Sequence, residues 1–240
     1  MSSLTYQTKN GFIFTLSEGK IETLSADGFR IPLSRSMVSP FSVAERGDTA
    51  VSFQPPVPGA KDYRCDSLGL SLKAAFSASP DAIEVRCHLV NEREGDRALS
   101  FFFELPVTGR KLRWHDDIRR SRAITSDCPL YEKTELASSG SGAMSVYPIG
   151  AITGETEEGQ PFGLSIGLDI AHPASFRIGY DTRRKSFQIR YDVALVPETE
   201  RFPSSADLFL IVQTGLNVWT IRKRSAEDGK RSVSGTSATS

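Results

Sequence analysis

The chain lacks any long hydrophobic run. Nowhere in its 240 residues does an apolar stretch approach the roughly 18 residues that a membrane-spanning helix needs. The N-terminus also lacks an apolar core of signal-peptide length. The sequence therefore predicts a soluble, cytoplasmic protein with no membrane partner.

An excess of charge of one sign is also absent, because 29 basic residues balance 29 acidic ones. A balanced chain has no overall electrostatic field that would recruit a polyanion. We therefore expect no nucleic-acid partner.

Cysteine and histidine are scarce and widely spaced. The chain has three of each, Cys65, Cys87, Cys128, His88, His115 and His172. No two cysteines form a C-x-x-C pair, and a zinc site needs closely spaced ligands of these types. The sequence predicts buried thiols and no metal site.

Helical periodicity is missing as well. No segment of a dozen residues repeats apolar side chains at i, i+3, i+4 and i+7, so the βαβ alternation of a nucleotide-binding fold is absent. The chain also has no glycine-rich phosphate loop and no G-x-S-x-G elbow. We expect no cofactor.

The sequence does contain apolar residues that alternate with polar ones almost throughout. Examples are Phe12, Phe14 and Leu16, a hairpin around Ser79–Asp81, and five later strands, predicted at residues 149–153, 164–170, 175–180, 186–193 and 206–213. About a dozen short strands with regular turns predict an all-β protein, a large two-layer antiparallel β-sandwich with little or no helix.

The remaining segments predict loops and a tail. Residues 34–60 are rich in proline and predict mostly loop, with one strand near residues 51–53. Residues 125–142 lose the alternation and predict a long loop. Residues 1–221 therefore form a single sandwich domain, and the polar residues 222–240 a disordered tail.

The most apolar strand lies within residues 96–118. Leu99, Phe101, Phe103 and Leu105 fall on one face and Phe102 on the other, so a central strand covered on both sides is expected. A turn at glycine 109 then leads to the candidate site.

The candidate site consists of Trp114, His115, Asp116 and Asp117. An exposed indole ring beside carboxylates can bind a sugar, by stacking on the ring and by hydrogen bonds to its hydroxyl groups. The alternative is structural, because a tryptophan at a strand end is commonly a lid on the core and adjacent aspartates are commonly solvated.

Three other charged segments were given structural interpretations. Asp96 and Arg97 predict a turn with a surface ion pair that contributes at most about 1 kcal/mol. The arginines at 119, 120 and 122 are expected to neutralise the nearby aspartates. The arginines at 183 and 184, with Lys185, are expected to be a solvated hairpin tip.

Several short motifs occur in order over about residues 65–213. The motifs are Asp96–Leu99, Leu105–Val107, Trp114 with Asp116–Ile118, Tyr147–Pro148, Gly163–Ile166, Pro173, Arg177–Asp181 and Phe202–Ala206. Together they resemble the β-supersandwich domain of the galactose mutarotase-like superfamily, and more narrowly the sandwich that precedes the catalytic barrel in bacterial glycoside hydrolase-like proteins.

The resemblance implies a non-catalytic module that contacts carbohydrate or supports a catalytic barrel domain or partner protein. The chain ends within thirty residues of its last clear strand, so the barrel is absent and the chain is either a stand-alone relative or a truncated one. We expect no catalysis. Two alternatives stay open: an aldose mutarotase-like sugar epimerase, which needs a histidine acid and a carboxylate base, and a structural protein-interaction module.

Overall fold

The structure is a computed structural model. It describes residues 3–36, 38–45, 47–56, 62–116, 120–132, 148–169, 171–172, 174–196 and 204–214. All regular elements within these ranges are strands, so none of these segments could cross a membrane as a helix. The prediction of an all-β fold is confirmed. The expected tail at 222–240 lies outside the described residues.

The described strands form three antiparallel sheets. The N-terminal sheet consists, in spatial order, of β1 (Ser3–Gln7), β2 (Ile13–Ser17), β3 (Lys20–Ala26) and β4 (Phe29–Arg30). The second sheet consists of β13 (Leu130–Glu132), β16 (Phe176–Asp181), β17 (Ser186–Leu195), β10 (Arg97–Leu105), β5 (Phe41–Glu45) and β6 (Val51–Ser52). The large sheet consists of β12 (Ser121–Ala123), β11 (Arg110–His115), β14 (Ile149–Glu155), β15 (Pro161–Leu168), β18 (Ser205–Thr214), β9 (Ile83–Asn91), β8 (Leu70–Ala78) and β7 (Asp62–Cys65).

The second sheet and the large sheet pack face to face and form the sandwich. The hydroxyl of Tyr191 on β17 donates a hydrogen bond to the carbonyl of Phe209 on β18 at 2.8 Å. The Trp114 ring on β11 meets the Phe187 ring on β17 edge-on, with centroids 6.2 Å apart. Because alternate residues of each strand face this interface, the inner face of each sheet is apolar and the outer face carries most polar residues. We call these two sides the inner and outer faces.

Strand β10 occupies the interior position that its apolar sequence predicts. It pairs with β17 on one side and β5 on the other. Leu99, Phe101, Phe103 and Leu105 are buried on its inner face, and Phe102 is buried on its outer face. Burial of each of these side chains contributes about 2 to 3 kcal/mol to the free energy of unfolding. An interior position, with a paired strand on each side, is therefore favoured for this strand.

The N-terminal sheet is an antiparallel meander in which β2 contains Phe14 and Leu16 of the predicted alternation, and β1 is its edge strand. The β2–β3 and β3–β4 turns contain pairs of residues with positive φ: 50° and 73° at Glu18 and Gly19, and 49° and 85° at Asp27 and Gly28. Two consecutive positive φ values are typical of the type I′ hairpin turn.

Arg97 corrects the expectation of a surface ion pair. Its side chain is 7% exposed, and its Nε and Nη2 atoms lie 2.7 and 3.0 Å from the two carboxylate oxygens of Glu45. Its Nη1 atom donates to the carbonyl of Leu68 and to Oδ1 of Asn91. Arg97 therefore links the second sheet to the large sheet where the chain passes from β9 to β10, although residues 92–94 and 96 of the turn itself are exposed.

Two predicted loops contain strands. Strand β5 lies in the proline-rich region, where only β6 was expected, and is almost wholly buried beside β10. Strand β13 lies within the predicted long loop and pairs with β16. Both strands have five residues or fewer, too few for alternation to be recognised, and their partners are remote in sequence. Nearby Cys128 is half-buried, whereas Cys65 and Cys87 are buried as expected.

Candidate functional site

Trp114 lies in the core of the sandwich. Its side chain is 0% exposed on the inner face of the large sheet, against Phe187 of the second sheet. Its only polar atom, Nε1, donates a hydrogen bond to Oδ1 of Asp116 at 2.6 Å. A buried indole needs such an acceptor, since an unpaired buried donor is costly.

Asp116 closes the core beside this ring. The same Oδ1 atom also lies 3.1 Å from Nη2 of Arg122 on the neighbouring strand, and the Asp116 side chain is 15% exposed. The Arg122 guanidinium also lies over the Tyr131 ring, 5.5 Å from its centroid. Arg122 thus neutralises Asp116, as the sequence suggested, and the carboxylate is engaged in holding Trp114.

His115 points to the opposite, outer face of the large sheet because successive strand residues alternate. It is half-buried, and its Nε2 atom lies 2.9 Å from Oγ1 of Thr153 on β14. Of the four candidate residues, Trp114 and Asp116 therefore serve the core, His115 faces away from it, and Asp117 lies outside the described residues. The indole face is covered by protein, so the core interpretation of Trp114 agrees with the structure.

The outer face of the large sheet also carries an open depression of about 480 Å³, at the end formed by β7, β8, β9 and β18. This volume is typical of small-ligand sites. Side chains of both charges surround a short apolar floor; the lining residues are Asp62, Lys73, Ala74, Ala75, Arg86, Cys87, His88, Asp207 and Phe209.

A histidine–carboxylate pair forms one wall of the depression. Nδ1 of His88 on β9 lies 2.7 Å from Oδ1 of Asp207, which is directly opposite on β18. Contact with the carboxylate favours the tautomer that carries its proton on Nδ1 and leaves Nε2 as the second polar atom of the ring. Both side chains are substantially exposed, so these groups are accessible to a ligand.

An aromatic pair stands next to this wall. Phe209, two residues after Asp207 on the same face, stacks on His172 with a centroid distance of 3.7 Å and an angle of 18° between the rings. Nδ1 of His172 in turn lies 3.0 Å from Oδ2 of Asp169. His172 therefore covers part of the Phe209 ring, and the pair gives the depression an aromatic edge.

Cys87 lies on the strand at the floor of the depression, but its side chain faces the core together with those of Val85 and Leu89. Burial raises the pKa of its thiol, so the nucleophilic thiolate form is disfavoured. Among the residues that the structure describes, no group of three or more histidine, cysteine, aspartate or glutamate side chains could hold a metal ion. The depression offers hydrogen-bond donors, acceptors and an apolar surface, which suits binding of a polar ligand.

Sequence reasoning missed most of this depression. Alternation along β9 predicts that His88 points away from the face of the buried Cys87. The same alternation places Arg86 on the outer face, together with His88. The partner strand β18 is 119 residues away from His88 at Asp207. Nothing local in the sequence signals that pairing, so Asp207 and Phe209 were seen only as parts of a late strand.

No protein-family model and no curated protein matches this chain. Solved structures do match it. The GH36 α-galactosidase AgaA from Geobacillus stearothermophilus has a TM-score of 0.50 at 8% sequence identity, over 89% of this chain and 40% of that chain. A galactose mutarotase-like protein from Lactobacillus casei has a TM-score of 0.49 at 8% identity, over 89% and 100% of the two chains. The Slr1438 protein from Synechocystis has a TM-score of 0.48 at 9% identity, over 90% and 97%.

The chain spans about 40% of the length of the α-galactosidase that it resembles. At such low identity the likeness concerns the fold alone. The chain shares a β-sandwich fold with the matched part of the α-galactosidase, in agreement with the fold that the resemblance of the sequence motifs implied.

Proposed function

We propose that this chain is a non-catalytic, carbohydrate-associated β-sandwich module of a glycoside hydrolase-like protein, and that it contacts carbohydrate through the outer face of its large sheet. Support of a catalytic domain is the accompanying role, suggested by the α-galactosidase whose chain is more than twice as long as the matched part.

The observation that carries the proposal is the depression around His88, Asp207 and Arg86. A sugar presents several hydroxyl groups, each both donor and acceptor, around a ring with apolar patches. The depression has carboxylate acceptors, guanidinium and ammonium donors, and the edge of Phe209 within one shallow surface. His115 and Thr153, at the other end of the same face, offer further polar groups to a longer saccharide.

The expected affinity is low. An apolar contact of about 80 Å² contributes about 2 kcal/mol at 25 cal/mol per Å². One or two charge-assisted hydrogen bonds add about 1.5 to 3 kcal/mol each, before the cost of association. The balance corresponds to dissociation constants of about 1 mM.

The mutarotase alternative is less well supported by the same contacts. Its chemistry places a histidine acid and a carboxylate base around one sugar ring. In the described part of the chain, the side chains of His88 and His172 each lie within 3.0 Å of a carboxylate, and His115 contacts a threonine. A histidine and a carboxylate in direct contact leave no space for a sugar ring between them.

Titration of the ¹⁵N-labelled protein with neutral mono- and oligosaccharides, followed by NMR, tests the proposal. We expect amide shifts to concentrate on the outer-face residues of β8, β9 and β18. Asp207→Asn and Arg86→Gln should each weaken binding by about tenfold, the effect of one charge-assisted hydrogen bond. Arg113→Gln, an exposed arginine at the far end of the same face, is the matched control and should bind a monosaccharide as the parent does.

Absence of shifts at tens of millimolar sugar would favour the structural interaction module. Equal weakening by Arg113→Gln would place the contact elsewhere. Faster exchange between sugar anomers in the presence of the protein, lost in His88→Gln, would instead support the mutarotase alternative.

A further inference from the structure

A second polar surface lies on the outer face of the second sheet, on the opposite side of the sandwich from the depression. Arg177 on β16 pairs in register with Arg190 on β17, so the two arginines are direct cross-strand neighbours on this face. Like charges placed directly opposite each other destabilise a sheet unless other groups compensate them.

The compensation within the described residues is incomplete. Nη2 of Arg177 lies 3.8 Å from Oδ2 of Asp192, and Nε of Arg190 lies 3.4 Å from Oδ1 of the same residue. That Oδ1 atom already accepts a hydrogen bond from the Ser100 hydroxyl at 2.7 Å. Two guanidinium groups thus share one carboxylate, at distances longer than those of a strong charge-assisted hydrogen bond.

Unpaired polar atoms mark the same place. Nε of Arg177, Nε of Arg190 and Oε1 of Gln188 are buried and have no hydrogen-bond partner in the described part of the protein. The 3.4 Å contact of Arg190 with Asp192 lacks hydrogen-bond geometry, which is why its Nε atom belongs to this group. The two arginine side chains are still 36% and 24% exposed, so other parts of them reach solvent.

Neighbouring acids are engaged elsewhere. Glu104, paired in register with Gln188, accepts hydrogen bonds from Ser42 and Ser186 and lies within 4.0 Å of two other arginines, Arg35 and Arg184. Glu132 on β13 shares the face but forms no ion pair with Arg177 or Arg190 in the described structure. The Arg177–Arg190 pair therefore keeps a local excess of positive charge and of hydrogen-bond donors.

We propose that the Arg177–Arg190 pair on this face binds a phosphate group. The two arginines carry two positive charges and share the single negative charge of Asp192, so a phosphate anion supplies the negative charge that is lacking. Its oxygens accept hydrogen bonds from the exposed parts of both planar guanidinium groups. The group is either inorganic phosphate or the phosphate of a small phosphorylated sugar. This inference is independent of the sugar contact on the large sheet.

The test follows the Nε–Hε NMR signals of the arginine side chains while sodium phosphate replaces sodium chloride at constant ionic strength. We expect the signals of Arg177 and Arg190 to shift and saturate in the low millimolar range. Glucose 6-phosphate and glucose are the two further arms. Tighter binding of glucose 6-phosphate than of phosphate identifies a sugar phosphate as the source, equal binding identifies the free anion, and a response of these signals to glucose alone contradicts the proposal.

Two variants make the test decisive. Arg177→Gln should weaken phosphate binding at least about fivefold while its Tm in chloride buffer stays at or above that of the parent, because the substitution removes a like-charge contact. Arg113→Gln, on the large sheet, should leave phosphate binding unchanged. The proposal is wrong if chloride shifts the signals equally, if Arg177→Gln binds phosphate like the parent, or if Arg177→Gln lowers the Tm by several degrees and thereby shows a structural role.

Discussion

Arg97 and Arg177 lie on strands of the same sheet but differ in how far their partners satisfy them. Arg97 is almost fully buried and makes paired hydrogen bonds to Glu45 and two more to Leu68 and Asn91. Arg177 has one long contact with a shared carboxylate and a buried Nε atom without a partner. An arginine whose N–H donors are bonded to protein acceptors contributes to folding. An arginine whose donors lack such acceptors can still bind an anion.

The same contrast separates Trp114 from its neighbour His115. Trp114 is buried with its single donor bonded to Asp116, whereas His115 faces outward. A tryptophan and aspartates together at a strand end can resemble a binding site. In this structure, Trp114 and Asp116 instead form a hydrogen bond with each other. Whether the hydrogen-bonding groups of a polar residue already have protein partners thus distinguishes structural residues from candidate binding residues.

The largest effect is expected for Trp114→Ala. Loss of a fully buried indole leaves a cavity and removes one of the two donors to Asp116, so the free energy of unfolding should fall by about 4 kcal/mol. Urea denaturation measures this, with His115→Ala as the matched control at the adjacent position. A loss for Trp114→Ala no greater than that for His115→Ala would contradict the core role.

Arg97→Met should have the next largest effect. Methionine keeps much of the side-chain volume but removes the hydrogen bonds that Arg97 donates to Glu45, the Leu68 carbonyl and Asn91, which costs about 3 kcal/mol. Urea unfolding is again the measurement, and Arg93→Met, an exposed arginine of the same turn, should cost much less. Equal losses in the free energy of unfolding of the two variants would support the sequence prediction that Arg97 forms only a surface ion pair.

A smaller effect is expected from alkaline pH. Burial raises the pKa of Tyr180 to about 12 and also raises those of Tyr63 and Tyr191. Their hydroxyls donate to the carbonyls of residues 107, 19 and 209, respectively. Since the unfolded chain ionises near pH 10, stability should fall as the pH rises from about 10 through the folded pKa.

For Tyr180 the loss should be about 1 kcal/mol at pH 11. Absorbance at 295 nm as a function of pH, in buffer and in urea, tests this. We expect part of the tyrosine signal of the folded protein to titrate only on unfolding. Titration of all the tyrosines near pH 10 while the protein stays folded would show that these hydroxyls are accessible.

The smallest effect on stability is expected for Arg190→Gln. Like Arg177→Gln, it relieves the contact of two like charges, so the free energy of unfolding should change by no more than about 0.5 kcal/mol. Its phosphate response should nevertheless be lost. A loss of stability as large as that of Arg97→Met would place Arg190 among the structural arginines.

Much of the fold was predictable because alternation is a local property. The five late strands were predicted within a few residues of their observed bounds, and β10 was recognised as an interior strand. Strands β5 and β13 were missed, because five residues or fewer carry too little pattern. The depression was missed because its walls come from strands that are distant in sequence.

Local alternation of apolar and polar residues is enough to predict the fold class and which side of most strands faces the core. The physical reason is that apolar residues at every second position can be buried only on one side of a sheet. Tertiary structure alone decided which polar residues meet. The pairing of β9 with β18 brought His88 to Asp207, the packing of the two sheets covered Trp114, and the register of β16 on β17 set Arg177 opposite Arg190. Those contacts depend on strand order and register, which no local pattern encodes.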